Sequence, residues 1–307
     1  MNPSRKNSPH CQISVSGYNY TDMQQIFSIE ALEIKAIAIR QDIIKMLELA
    51  RSGHPGGSLG QADIYAALYF NILKHDPKNP DWNERDILIQ SNGHTCPVRY
   101  AAMAHAGYFS RDHLWTLRTF GSILQGHPER IKLPGVENTS GPLGSGLSQA
   151  AGMALALRMN KQQHRWVYVI TGDGELNEGN NWEAIMLASK YKLTNMIAIV
   201  DRNNIQIDGP TEVVMPLEDL RAKWEAFGWH VLEIDGNDIE AVIDAVGMAK
   251  AIVEKPVVIL AHTIPGKGVD FMEYDFHWHG VAPNHEQAKL ALKEIHTLRG
   301  KINKEHD

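Results

Sequence analysis

Asp173 and Asn203 stand thirty residues apart, each just beyond the end of an apolar run, and together they could hold a metal ion against a phosphate. Gly172 and Gly174 flank the aspartate and let the backbone approach phosphate oxygens that a side chain would block. A helix beginning near Asn181 can aim its N-terminal amides and its dipole at the same anion. An aspartate, an asparagine amide oxygen and a backbone carbonyl near Ile205 are hard oxygen donors, suited to Mg²⁺ or Ca²⁺ and not to a soft metal. A lone Gly-Asp-Gly is most often an ordinary strand-to-helix turn, because both residue types favour turns for local reasons. The spaced asparagine, the strand on each side and the later Ile207-Asp208-Gly209 make this one a candidate diphosphate and metal anchor.

Fifteen histidines form the second chemical signal. Four adjoin glycine in loop-like segments: Gly53-His54, Gly93-His94, Gly126-His127 and His279-Gly280. Such positions can expose an imidazole to a cleft, where it binds hydroxyls and moves protons near neutral pH. The other histidines lack this setting and read as surface or structural groups.

These residues need a frame. Apolar positions at three- and four-residue spacing (Ile29, Leu32, Ala36, Ile39, Ile43, Leu47, Ala50) predict a helix over 29–50. A glycine-rich loop over 52–58 and a helix over 60–73 follow. Strands are expected at 86–90, 166–170, 196–200, 230–234 and 256–262, and helices at 97–106, 110–120, 147–160, 181–192, 217–227 and 239–254. Residues 121–146 read as a long binding loop punctuated by prolines and glycines. Alternating strands and helices predict a mainly parallel sheet in a three-layer α/β/α arrangement, with ligands beyond the carboxyl ends of the strands. Residues 1–27 read as a polar N-terminal extension and 28–307 as one domain.

With 43% hydrophobic and 21% charged residues, the chain has the composition of a soluble globular protein. A net charge of −6 gives no general attraction to nucleic acid or anionic membranes, and no apolar run is long enough to span a bilayer. Cys11 and Cys96 make no disulfide framework, so a cytoplasmic location is expected.

The stretch GDGELNEG…IAIVDRNNIQIDG resembles the thiamine diphosphate and metal motif of the transketolase family. Ser52-Gly53-His54-Pro55-Gly56, Ser91-Asn92-Gly93-His94, Gly126-His127-Pro128-Glu129, Gly141-Pro142-Leu143-Gly144-Ser145-Gly146 and Trp278-His279-Gly280 are similar to further segments of that family. His279 follows Gly268 by eleven residues, as the family pattern has it, which favours it over His262 and His277.

The resemblance implies a diphosphate-binding domain in which Asp173, Asn203 and the carbonyl of Ile205 bind the metal. His94, Gly141, Leu143, Gly172, Gly174 and Glu178, together with the metal ligands Asp173 and Asn203, would form the thiamine diphosphate site. Glu178 would lie where subunits pair. His54, His94, His127 and His279 would serve catalysis, contacting a ketose substrate. The implied activity is that of a transferase in the pentose phosphate pathway, moving a two-carbon ketol unit between sugar phosphates.

The family's pyrimidine-binding domain has no counterpart in the 307 residues. The expectation is therefore a split enzyme: this chain, a C-terminal partner subunit carrying that domain, and second copies of both in a two-fold heterotetramer. Alternatives are a subunit of a 1-deoxyxylulose-phosphate synthase-like or α-keto acid dehydrogenase-like enzyme, or a non-catalytic cofactor-binding relative. A split transketolase for an unusual sugar is a further variant.

Overall fold

The computed structural model describes residues 27–305. Its strands are β1 (Ile87–Gln90), β2 (Val167–Gly172), β3 (Met196–Arg202), a small antiparallel pair β4 (Ile205–Gln206) and β5 (Gly209–Pro210), then β6 (His230–Asp235) and β7 (Val257–His262). Five of them form a parallel sheet in the order β1-β2-β3-β7-β6. The helices are α1 (Ile29–Ala50), α2 (Pro55–Gly60), α3 (Ala62–Ala67), α4 (Cys96–Ala106), α5 (Gly146–Met159), α6 (Gly179–Lys190), α7 (Thr211–Val214), α8 (Leu220–Ala226), α9 (Ile239–Ala251) and α10 (His285–Glu305).

The period of two along each strand sorts side chains into two cores. Tyr168, Ile170, Ile197, Ile199, Val257 and Ile259 point to one face, where α1, α3, α4, α9 and α10 bury their apolar stripes. Val167, Val169, Met196, Ala198, Val200, Val258 and Leu260 point to the other, against α5, α6 and α8. The result is the expected three-layer α/β/α arrangement, and the burial of both faces explains why the strands read as continuous apolar runs. The small residues Ala150, Ala151 and Ala154 of α5 are buried against the sheet, as the alanine-rich segment implies.

α1 begins where Ser28 Oγ accepts the Ala31 amide at 3.3 Å, and Leu32, Ala36, Ile39, Ile43 and Leu47 are buried as expected. Several boundaries differ from expectation. The segment read as a glycine-rich loop turns helical at Pro55, because proline suits a first helical turn and leaves His54 at the N-cap. The helix expected over 110–120 is a short 3₁₀ segment, Arg111–Thr116, which stops before Arg118 takes a positive φ of 61°. β2 and β3 each extend by two residues, to Gly172 and Arg202. The hairpin β4/β5 and the helices α7 and α10 lie outside the elements expected from sequence. Residues 1–26, including Cys11 and almost all of the polar extension, lie outside the described residues, while Cys96 is buried with a free thiol. Among the described residues, no helix is long and apolar enough to cross a membrane.

The loop of residues 117–145 is held firmly. Asn138 pairs with both backbone groups of Gln90, at 3.3 and 3.2 Å, and so docks on the edge of β1. Glu137 pairs with Arg85 and with the fully buried Arg99. The carboxyl ends of β1, β2, β3 and β7 then deliver Ser91–His94, Gly172–Gly174, Asp201–Ile205 and Thr263 to one side of the sheet.

Candidate active site

A cleft of about 330 Å³ opens on that side. It is lined by His54, His94, His127 and His279, by Gly141 and Leu143, by Gly172, Asp173 and Gly174, and by Asn203 and Ile205. Residues from widely separated stretches of sequence thus meet in one cavity. Glu178 is the exception: it is exposed at the N-cap of α6 and packs beside Gly144. Gly144 has φ +82°, and a Cβ there would sit 2.5 Å from the Cβ of Glu178, so only glycine fits.

The imidazoles of His54, His94 and His279 form a triangle, with ring centres 5.0 Å (54–94), 5.7 Å (54–279) and 5.2 Å (94–279) apart. Each vertex comes from a different element: the N-cap of α2, the 3₁₀ turn after β1, and the 3₁₀ turn that ends at Trp278. His127 lies at the rim beside Gly141, whose Cβ position is 3.8 Å from the His127 ring. Burial, reinforced by the charges His279, Arg118 and His127 would present, lowers the His54 pKa to about 4. Burial drives His94 well below the usual value, and it also lowers His127 and His279. Near neutral pH all four rings are therefore neutral, each with one donor and one acceptor nitrogen. Nδ1 of His54 and Nδ1 of His279 are buried without a hydrogen-bond partner. By contrast His262 and His277 are exposed and engaged elsewhere, with Glu233 at 2.7 Å and Asp275 at 2.6 Å.

At the other end of the cleft, Asp173 Oδ1 accepts the Gly174 amide at 2.6 Å. Its Oδ2 accepts from the Asn204 amide at 2.8 Å and from Arg202 Nη1 at 2.9 Å. Asn203 donates from Nδ2 to Asp201 Oδ2 at 2.7 Å, and its Oδ1 accepts the Ile205 amide at 3.0 Å. A Cβ on Gly174 would meet the Gln206 side chain at 2.7 Å, which would have to shift to admit it.

Three further residues shape the site; each lies inside one of the motif segments, but none carries an assigned role there. Buried Glu175 accepts from the Ser91 hydroxyl, from Gly144 N at 2.7 Å and from Gly172 N at 3.1 Å, which ties the ends of β1 and β2 to the 141–146 loop. Asp201 accepts from Gln61 Nε2 at 2.7 Å, from Asn203 and from the Thr263 hydroxyl. Asn92 is buried at the cleft floor. Glu175 and Asp201 each lie two residues from a proposed metal ligand, Asp173 or Asn203, within the same motif stretch, and that position is their signal in the sequence.

Burial raises the pKa of Asp173 and of Glu175, and it lifts Asp201 to about 7 against its three hydrogen-bond donors. Four acids line the cleft (Asp173, Glu175, Asp201 and Asp208), and no lysine or arginine is among the lining residues. In so far as these acids are ionised, a bare diphosphate would be repelled here. A divalent cation on the hard oxygens of Asp173, Asn203 and Ile205 would reverse the local charge, and the narrow glycine turn and orphaned buried nitrogens leave groups for a phosphorylated ligand to engage. The donor set therefore fits a cation–diphosphate pair.

Fold and site together define a diphosphate-binding α/β domain, and the chain belongs to the family described as transketolase, thiamine diphosphate binding domain, which it matches over residues 31–301. It is 40% identical over 279 residues to a subunit of the apulose-4-phosphate transketolase of Phocaeicola vulgatus, covering 91% of this chain and 99% of that one. It is 43% identical over 264 residues to the 6-deoxy-6-sulfo-D-fructose transketolase subunit SqwG of a Clostridium species, covering 86% and 96%. Among solved structures, transketolase from Leishmania mexicana superposes with a TM-score of 0.80 at 33% identity, covering 92% of this chain but only 46% of that one. The chain thus covers subunit-sized relatives almost end to end and corresponds to just under half of the longer transketolase.

Proposed function

We propose that this chain is the N-terminal, diphosphate-binding subunit of a two-chain transketolase, which moves a two-carbon ketol unit from a ketose phosphate to an aldose phosphate. The observation that carries the reading is the convergence of four neutral histidines and a hard-oxygen site in one cleft. Asp173, Asn203 and the Ile205 carbonyl would hold Mg²⁺ or Ca²⁺. His94, Gly141, Leu143, Gly172 and Gly174 would contact thiamine diphosphate. When bound, that cofactor supplies the carbon nucleophile and the electron sink for carbon–carbon cleavage. His54 and His279, with unpaired Nδ1 atoms, would bind the ketose hydroxyls and move their protons, and His127 would bind hydroxyls at the rim. Glu178, exposed here, would meet a neighbouring subunit.

A second chain is supported by two observations. Relatives covered almost end to end carry subunit names. Among the described residues, the cleft lining also has no lysine or arginine to grip a sugar phosphate. A two-fold assembly of two such pairs, each site lying between chains, follows from the same reading. The two relatives are named for different sugars, so the substrate is to be found by assay.

The test is co-expression with a candidate pyrimidine-binding half, followed by a ketol-transfer assay with thiamine diphosphate and Mg²⁺. Sugar phosphates, xylulose 5-phosphate among them, are compared with pyruvate. Turnover of a ketose phosphate by the pair, with none by the chain alone, is the expected result. Robust transfer by the chain alone, or preference for pyruvate, would sink the proposal.

A further inference from the structure

We propose that Asn92 is a further ligand-binding residue of this cleft, its side-chain amide donating to the diphosphate of thiamine diphosphate; the assignment rests on the function proposed above. Asn92 is 1% exposed and lines the cleft, yet neither Nδ2 nor Oδ1 has a hydrogen-bond partner among the described residues. Buried amides are normally paired, and one left wholly unpaired on the floor of a cavity is a group held ready for something that enters it.

The local structure does not need this side chain. Asn92 occupies the N-cap of the 3₁₀ turn Gly93–Thr95, where asparagine commonly caps through its side chain, and here it makes no such bond. The turn is closed instead by the Asn92 carbonyl, which accepts from Thr95 N and Thr95 Oγ1, both at 2.9 Å.

Placement favours the phosphate end. Ser91 N donates to Ile170 O at 2.8 Å, which sets Asn92 alongside the end of β2. A Cβ on Gly172 would stand 3.9 Å from the Asn92 Cβ, so the asparagine adjoins the glycine turn that carries Asp173. The charge of the cleft favours a neutral donor. Four acids and four neutral histidines line it, and no lysine or arginine does. Arg202, the cation beside Asp173, is committed to Asp173 and Glu212, so among the side chains lining the cleft an anionic group entering there meets uncharged N–H donors, of which the Asn92 amide is one with no competing partner.

The experiment compares the co-expressed wild-type pair with Asn92→Ala and the isosteric Asn92→Asp by titration calorimetry. The probes are thiamine diphosphate with Mg²⁺ and, separately, inorganic diphosphate with Mg²⁺. Thermal unfolding of the cofactor-free full chain is measured alongside. Affinity for both probes should fall about 10- to 100-fold in Asn92→Ala, the loss expected for one buried hydrogen bond, and further in Asn92→Asp, whose carboxylate repels the ligand. The unfolding midpoint of cofactor-free Asn92→Ala should stay level or rise, because no hydrogen bond is lost. Binding of both probes by Asn92→Ala within about 3-fold of wild type would overturn the assignment and leave the proposed function standing. A midpoint lowered by more than about 5 °C would show that the residue serves the fold, and would also overturn it. A wild-type pair that takes up no thiamine diphosphate would overturn the proposed function itself and this inference with it.

Discussion

At the scale of single residues, the histidines carry the sharpest expectations. His279 has a buried, unpaired Nδ1 and no role in holding the cation site, so His279→Ala in the reconstituted pair should lower ketol transfer by about 10²- to 10⁴-fold, the range for losing a positioned acid–base group. Thiamine diphosphate affinity, read by calorimetry, should be nearly unchanged; a parallel collapse of binding would contradict the assigned role. His54 offers a pH test. Its pKa falls from the ordinary histidine value of 6.5 to about 4 in the fold, so between those limits the unfolded chain binds a proton that the folded chain refuses. Its contribution to stability is present above pH 6.5 and is lost as pH falls toward 4. Asp173, Glu175 and Asp201, with raised pKa values, act in the opposite sense over an overlapping window, so the effect must be read as a difference. Between about pH 7 and pH 5, wild type should lose about 1–2 kcal/mol more stability than His54→Asn in urea unfolding. The four histidines were legible because glycine neighbours mark them as loop residues at a cleft. The roles of Glu175 and Asp201 were not, because they depend on partners far along the chain: Glu175 meets Ser91 across 84 residues, and Asp201 meets Gln61 across 140, while Asn92 has no side-chain partner among the described residues to mark it.

At the scale of elements, the strand ends act as one unit because a buried carboxylate joins them. Glu175 holds the Ser91 hydroxyl and the amides of Gly144 and Gly172, so it fixes the 141–146 loop against β1 and β2. Glu175→Ala would leave three buried donors without an acceptor. The expected cost is about 2–4 kcal/mol in urea unfolding, with faster amide hydrogen exchange over residues 141–146. Glu175→Gln, which keeps the volume and one acceptor oxygen, should cost less; an unchanged exchange rate in both variants would remove the tie from the argument. Element types were largely readable, because strands buried on both faces and the α1 stripe give strong periodic signals. The miss at α2 has a physical cause. Glycines at 56, 57 and 60 disguise α2, whose helical form is fixed by close packing: a Cβ on Gly60 would meet the Ile264 carbonyl at 2.9 Å. α10 buries a thin line, Ala288, Ala291 and Ile295, at three- and four-residue spacing along a mostly polar sequence; its pattern is readable in the chain, and the helix closes one face of the core.

At the scale of the whole molecule, the charge of the cleft decides how cofactor can enter. The chain gathers Asp173, Glu175, Asp201 and Asp208 around the space proposed for a diphosphate, and among the described residues no lysine or arginine lines it. Arg202 lies nearby, but its guanidinium is committed to Asp173 and Glu212. Like charges at such separations, in a setting drier than bulk water, repel by several times what they would in solvent. The cation is therefore no accessory: it is the component that makes the anion's arrival favourable. Asp173 is part of the same balance, since burial raises its pKa and a cation would hold it ionised. Removing divalent metal with a chelator should weaken thiamine diphosphate binding to the pair by at least about 100-fold, the scale of losing one strong charge–charge contact at a partly buried site. Adding Mg²⁺ or Ca²⁺ should restore it, and a monovalent salt at equal ionic strength should not. Because each bound cation lets a diphosphate bind, the dependence should be mutual: thiamine diphosphate should tighten Mg²⁺ binding by the same factor in calorimetry. Binding of the cofactor at full strength in the presence of chelator would show that neutral donors alone, Asn92 and His94 among them, suffice to hold the diphosphate, and the electrostatic account of this cleft would have to be abandoned.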